Sequence, residues 1–403
     1  MANISVWTKK NLEKAKAILS KHDRTEYDLA IGEISKALGV LVTKTALSKA
    51  FESNRLKSPY SMLRLPALQV DPVLAHKKKE DLAEAKQEIG KLTELLREAR
   101  QRQKFLDKLD RVTDPPEILA RETKSASREL TAVVLASDWH VEETVEAEAI
   151  GGLNEYNLKV ADRRITKFFQ SIIWNIEHDR ADGHLLIRDL VLWLGGDLIT
   201  GFIHEELREM NGLSPTQAVI WLVPRLRDGI LTLLEHLQLE SLVIPCSHGN
   251  HGRTTFKSHI SNGYANSFEW LMYHWLKSTF SGDPRVVFEV TGSAHQYVKV
   301  YDSLLHFHHG DQLAYKGGVG GLAIPLGKMV PKWDQINKAA VHNIGHFHQL
   351  MFLGPTVVNG SLIGYNPFAM SIGASPEIPQ QAMYYVDKKR GFCLPRAIWV
   401  DGK

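Results

Sequence analysis

From about residue 128 to its end, this 403-residue chain predicts a layered α/β domain. Two observations carry that expectation. Short apolar runs alternate with longer amphipathic stretches, and run after run stops at an Asp, Asn or His beside Gly, as strands do when they feed tight loops. The runs are residues 132–136, 190–194, 242–245, 286–290, 296–301 and 304–308, with Thr291-Gly292-Ser293 and Asp302-Ser303 as turns between the last three. Residues 356–364 and 382–387 read as further strands, and 163–178 and 215–237 have the length and apolar spacing of helices.

The chain ahead of that domain reads differently. Residues 1–65 form a small helical module, 66–127 a linker with a long helix, and 128–403 the α/β domain. In the module, residues 28–38 have helical apolar spacing, Gly39 supplies a stop, and Thr43 caps a second helix that runs to Phe51. Helix, turn and polar-surfaced second helix resemble a helix-turn-helix. Twelve Lys/Arg against seven Asp/Glu through residue 71 would favour phosphate contact, although small bundles use the same turn for packing alone. Pro59, Pro66 and Pro72 break the next segment. In residues 82–106, Leu82, Ala85, Ile89, Leu92, Leu96, Ala99, Gln103 and Leu106 alternate steps of three and four, a stripe that could pair two chains as a short coiled coil or lie back on its own domain.

Composition excludes several classes. A hydrophobic fraction of 44% and a charged fraction of 24% are those of an ordinary folded chain. A net charge of +3 does not demand a nucleic-acid partner. Cys246 and Cys393 lie too far apart in sequence to form a thiolate ligand pair, and a reducing cytoplasm fits them best. No signal peptide or membrane-length apolar stretch is expected.

The chemistry converges on Gly345-His346-Phe347-His348. In an extended segment His346 and His348 would point the same way, toward one site or two adjacent metals. Asp138-Trp139-His140 repeats that spacing after the first run. Gly195-Gly196-Asp197, Gly249-Asn250-His251 and His309-Gly310 each follow another run. Oxygen and imidazole groups without thiolates suit a borderline or hard divalent ion. Two such ions about 3.5–4 Å apart can clamp a phosphoryl group and acidify a shared water. A bridging carboxylate is then required, and Asp197 is the candidate. His306 and His308 share one strand face and His309 takes the other, which favours His309 as the ligand, with His308 as the alternative.

These five blocks, in this order over residues 131–390, resemble those of the calcineurin-like metallophosphoesterase superfamily. The resemblance implies a pair of packed sheets with helices outside, a β-sandwich within the α/β class. It implies that Asp138, His140 and His348, with bridging Asp197, hold one divalent metal, and that Asp197, Asn250, His309 and His346 hold a second, Mn first and Fe, Zn or Ni as alternatives. His251, beside the Asn250 ligand, would touch the phosphate and assist the leaving group. The family's usual acidic residue after Gly-Asn-His is replaced by Gly252, so Glu142, Glu205 or another carboxylate would have to serve in space. Arg253 could clamp a phosphate or be a loop charge. The resemblance extends toward bacteriophage and prophage phosphoesterases and toward the nuclease subunits of break-repair complexes. It implies a hydrolase acting on DNA in the cytoplasm of a bacterial or phage-infected cell. The alternatives are a phosphoesterase for a small molecule or phosphoprotein, and a DNA-associated regulatory protein with little turnover.

Overall fold

The computed structural model describes residues 6–59, 63, 86–88, 90, 91, 93, 94, 97, 115–121, 128–181, 183–203, 205–259, 262–313 and 321–401. Most of the predicted stripe over 82–106 falls outside them. The chain divides into two units, residues 1–101 and 102–403.

The first unit carries helices α1 (Lys9–Leu19), α2 (Tyr27–Leu38) and α3 (Lys44–Ser53). Leu12, Ala15, Leu19, Ile31, Ile34, Leu47 and Phe51 close one small core. Gly39 ends α2 in the left-handed conformation, and the Thr43 side chain accepts the Ala46 N–H to start α3. Between them the Ser35 hydroxyl accepts the Val42 N–H at 2.9 Å, which fixes the turn. α1 was not read from the sequence.

The second unit is a sandwich of two six-stranded sheets. Strands β2 (Arg128–Ala136), β3 (Leu185–Leu194), β4 (Ser241–Cys246) and β5 (Val286–Val290) run parallel, and β11 (Gln380–Asp387) and β12 (Gly391–Trp399) extend the sheet antiparallel on the β2 side. The other sheet has the order β1-β6-β7-β8-β10-β9, from β1 (Glu117–Ile118), β6 (Gln296–Val300), β7 (Ser303–His308), β8 (Val341–Ile344), β10 (Thr356–Val358) and β9 (Met351–Leu353). Within it β7 and β8 are parallel.

The near-continuous apolar runs of β2 and β3 follow from burial on both faces. Val133, Leu135, Val191 and Trp193 meet Val298, Leu305, Phe307 and Val341 of the opposite sheet. Their neighbours Ala132, Val134, Leu190 and Leu192 turn outward onto helices α4 (Leu158–Arg180), α5 (Pro215–Leu237) and α6 (Phe268–Thr279). Helix α7 (Ala323–Trp333) packs Leu326 and Trp333 near Ile344 and Val358 of the second sheet. One expected strand is too long: only Thr356–Val358 pairs, and residues 359–364 are a loop. No helix among the described residues is long and apolar enough to cross a membrane.

Candidate metal centre

The parallel strands β2, β3 and β4 of one sheet and β7 and β8 of the other each end at one of the five blocks. Ligands collect at carboxyl ends of parallel strands because the loops there converge on one crevice. Asp138 and His140 follow β2, Asp197 follows β3, Asn250 and His251 follow β4, His309 follows β7, and His346 and His348 follow β8.

Three overlapping groups result, each with its potential ligand atoms within 4.8 Å of one another: Asp138, His140 and His348; His140, Asp197 and His251; and Asp197, His309 and His346. Asp197 belongs to two of them. The Asn250 side-chain oxygen lies 3.3 Å from His309 Nε2, so the amide joins the last group. Asp138, His140, Asp197 and His309 are almost fully buried. All seven residues expected as ligands therefore meet at one crevice.

The local backbone differs from the extended geometry expected of the two alternating pairs. Asp138, His140, Asp197, His346 and His348 all have positive φ, between 47° and 72°. Side chains pay a steric penalty there, and five such residues at one crevice mark a constrained site. The loop turns thus aim His346 toward His309 and His348 toward Asp138, whereas strand alternation would have sent both one way.

Hydrogen bonds fix the ring orientations. His309 Nδ1 donates to the Gly195 carbonyl at 2.8 Å, which leaves Nε2 facing Asp197 Oδ2 at 2.9 Å and Asn250. An outer hydrogen bond of this kind selects the tautomer a ligand needs. His251 Nδ1 donates to the Thr200 carbonyl at 3.0 Å, and its N–H donates to Asp197 Oδ1 at 2.8 Å. The Asp138 carboxylate accepts the His346 N–H and the Ser137 hydroxyl. His308 turns away from the centre, and its Nδ1 accepts the Gly310 N–H.

Electrostatics agree with a cation-binding role. Burial works against the Asp197 carboxylate, yet the charges of His309 and His251 hold it well below the usual carboxylate range. Burial, with the charges of His251 and His348, pushes His140 well below its ordinary value, so it stays neutral and able to ligate. Burial also pushes His346 down to about 4. Burial works against a charged His309, yet the charge and hydrogen bond of Asp197, together with the charges of Asp138 and Asp311, raise it well above its ordinary value. Bound cations would take over the role of that imidazolium and favour every deprotonated form. The donor set of imidazole, carboxylate and amide oxygen without thiolate fits divalent Mn, Fe, Zn or Ni.

Two sequence expectations are refined. Three of the Arg253 N–H groups bond to the carbonyls of Asn250, Thr255 and Phe256, so the guanidinium braces its own loop. Neither Glu142 nor Glu205 stands beside Gly252. Glu142 accepts the N–H groups of Thr200 and Gly201, and Glu205 is exposed. The carboxylate beside Gly252 is Glu269, a fully buried residue of α6 that sequence reasoning missed. Its position in a helix's first turn already has a local reason, so nothing in the sequence singled it out.

No protein-family model matches the chain, and the comparison with curated proteins found no match. Among solved structures, it is similar to a conserved uncharacterised protein from Streptococcus pneumoniae TIGR4 described as a predicted phosphoesterase, with 12% identity, a TM-score of 0.24 and coverage of 66% of this chain and 97% of that one. Vacuolar protein sorting 29 from Cryptosporidium parvum gives 12% identity, a TM-score of 0.25 and coverage of 66% and 96%. Likenesses this slight carry no argument about function. The two packed sheets and the meeting of all five blocks are what the resemblance to calcineurin-like metallophosphoesterases implies, and that reading rests on the residues themselves.

Proposed function

We propose that this chain is a two-metal phosphodiester hydrolase and that its substrate is DNA. The observation that carries the reading is Asp197, a buried carboxylate with ligand atoms within 4.8 Å of His140 on one side and of His309 and His346 on the other. Asp138, His140, Asp197 and His348 would hold one ion, and Asp197, Asn250, His309 and His346 the other, with Mn the best match to the donor set. Two such ions supply Lewis acidity and a water acidified enough to act near neutral pH.

The chain's own residues supply orientation and proton transfer. His251 has its Nδ1 committed to the Thr200 carbonyl, so Nε2 is the position at which a proton is held or released. Burial lowers its pKa, and the negative charge of a bound phosphodiester would raise it again toward the range of a general acid. The ring stands edge-on to His140, with centroids 4.7 Å apart, which places it at the mouth of the same crevice. For DNA as the substrate, the support is the α2–turn–α3 arrangement of the first unit and the basic balance of its sequence.

The test is hydrolysis in Mn by the full chain. Labelled single- and double-stranded DNA and bis-p-nitrophenyl phosphate are compared for wild type, His251→Ala and Asp197→Asn. Cleavage of DNA that is lost in both variants is expected. Turnover of the small diester alone would replace DNA with a small phosphodiester, and no turnover of either substrate would refute the hydrolase.

A further inference from the structure

Glu269 is a carboxyl side chain with no exposure, and both its oxygens are engaged by main chain. Oε1 accepts the Leu198 N–H at 2.7 Å and Oε2 accepts the Gly249 N–H at 2.7 Å. Leu198 follows Asp197, and Gly249 precedes Asn250. One carboxylate thus ties together the two loops that carry the shared ligand and the amide ligand. The loops are very close: a Cβ on Gly249 would fall 2.0 Å from Asp197 Oδ1. Two bonds of 2.7 Å to one buried carboxyl group fix its orientation and the spacing of the two donors.

The same carboxylate occupies the space in front of Gly252. A Cβ there would meet Glu269 Cγ at 2.7 Å, Cδ at 3.1 Å and Oε2 at 3.2 Å. The cleft holds one carboxylate and has no room for a second. Residue 252 therefore lacks a side chain where a buried acid from another element fills the volume.

We propose that Glu269 is a positioning residue for the metal centre, setting the separation of the Asp197 and Asn250 loops, and that a carboxylate reaching the same cleft from residue 252 can replace it. This rests on the metal-centre reading above. It makes Gly252 and Glu269 a mutually exclusive pair. An acid at 252 should harm the wild-type protein and help one that lacks the Glu269 carboxylate.

Mn(II) is titrated calorimetrically into the chelator-treated full chain, and melting temperature is followed in parallel. Glu269→Gln has one acceptor where two donors must be met, and with Glu269→Ala it should weaken Mn binding about 10- to 100-fold, the range for residues that orient ligands. Gly252→Asp alone should also weaken binding. Gly252→Asp combined with Glu269→Ala should bind Mn more tightly than either single variant. Glu269 variants that melt lower yet bind Mn as wild type does would make Glu269 merely structural and overturn the proposal, as would a double variant no better than Glu269→Ala. If Glu269→Ala does not fold, the double variant decides: regained folding and Mn binding support the pair, and failure of both overturns it. Asp197→Asn separates the two readings. Loss of Mn binding there with normal binding in the Glu269 variants sinks only this proposal, whereas a wild type that binds no Mn sinks the metal centre itself.

Discussion

Lowering the pH from 7 to 5 should destabilise the second unit through a row of neutral histidines on the far side of β7. Asp334 Oδ1 lies 3.3 Å from His342 Nε2, His342 Nδ1 lies 3.0 Å from His306 Nδ1, and His306 Nε2 lies 2.8 Å from His295 Nδ1. An ionised Asp334 makes His342 donate to it, and each remaining contact then needs one donor and one acceptor. His306 must donate to His342 and accept from His295. Its ring is fully buried among Tyr297, Trp333 and the other imidazoles, and burial, with the charges of His295, His342 and His308, pushes it down to about 2. The folded pKa is depressed below the ordinary 6.5, so the unfolded chain takes the proton first. Stability is complete above 6.5 and falls as pH drops toward the folded value. Between pH 7 and 5 this amounts to about 2 kcal/mol for His306 alone. The assay is urea unfolding followed by tryptophan fluorescence at both pH values, for wild type and His306→Gln, which cannot take up a proton. The quantity is the difference between their pH-induced losses, since both share every other titrating group. Equal losses would mean that His306 is protonated in the folded state, and the reasoning would be refuted.

Two further outcomes are expected. Arg164, 1% exposed, donates to the carbonyls of Leu362 and Ile363, to Asn154 and to Asp401, whereas Arg163, 64% exposed, reaches only the same Asp401. Arg164→Met should cost about 2–3 kcal/mol in denaturant unfolding, because the buried carbonyls of Leu362 and Ile363 lose their donor, and Arg163→Met about 0–1 kcal/mol; similar values for the two would show that burial does not set the worth of these contacts. Removing residues 1–70 should weaken DNA binding and flatten its salt dependence in filter-binding titrations, and unchanged binding would assign the first unit to another partner.

The parts that could be read from sequence were those in which pattern and burial coincide. Residues 132–136 and 190–194 are apolar at every position because helices cover one face and the second sheet the other, and both became strands. Residues 356–364 also looked continuous, yet pairing stops at Val358. There the Asn359 side chain leaves the ladder to donate to Ser137 and Gln381, while Leu362 and Ile363 are buried as loop residues whose carbonyls receive Arg164. Apolar composition reports burial and does not by itself report pairing. The ligand types were legible as Gly-flanked Asp, Asn and His. Their backbone conformation was not, since alternation assumes a strand and the structure has left-handed turns. Glu269 was invisible for another reason: its link to Gly252 spans seventeen positions and one helix terminus, and only the fold brings them together.

The centre's carboxylates have two roles, and the second explains how strained ligands persist. A residue at positive φ costs about 1 kcal/mol or more unless its surroundings fix it. Here acids hold the main chain beside those residues: Asp138 takes the His346 N–H, Asp197 the His251 N–H, Glu142 the N–H groups of Thr200 and Gly201, and Glu269 those of Leu198 and Gly249. Two of these acids are themselves expected ligands. Truncating Asp197 to Ala would remove a ligand and release the His251 loop together, so lost activity could not be assigned to either. Asp197→Asn keeps an oxygen for the His251 N–H while removing the charge that two adjacent cations require. Loss of Mn binding in that variant, with its melting temperature retained, would locate the effect in the charge and leave the clamp intact.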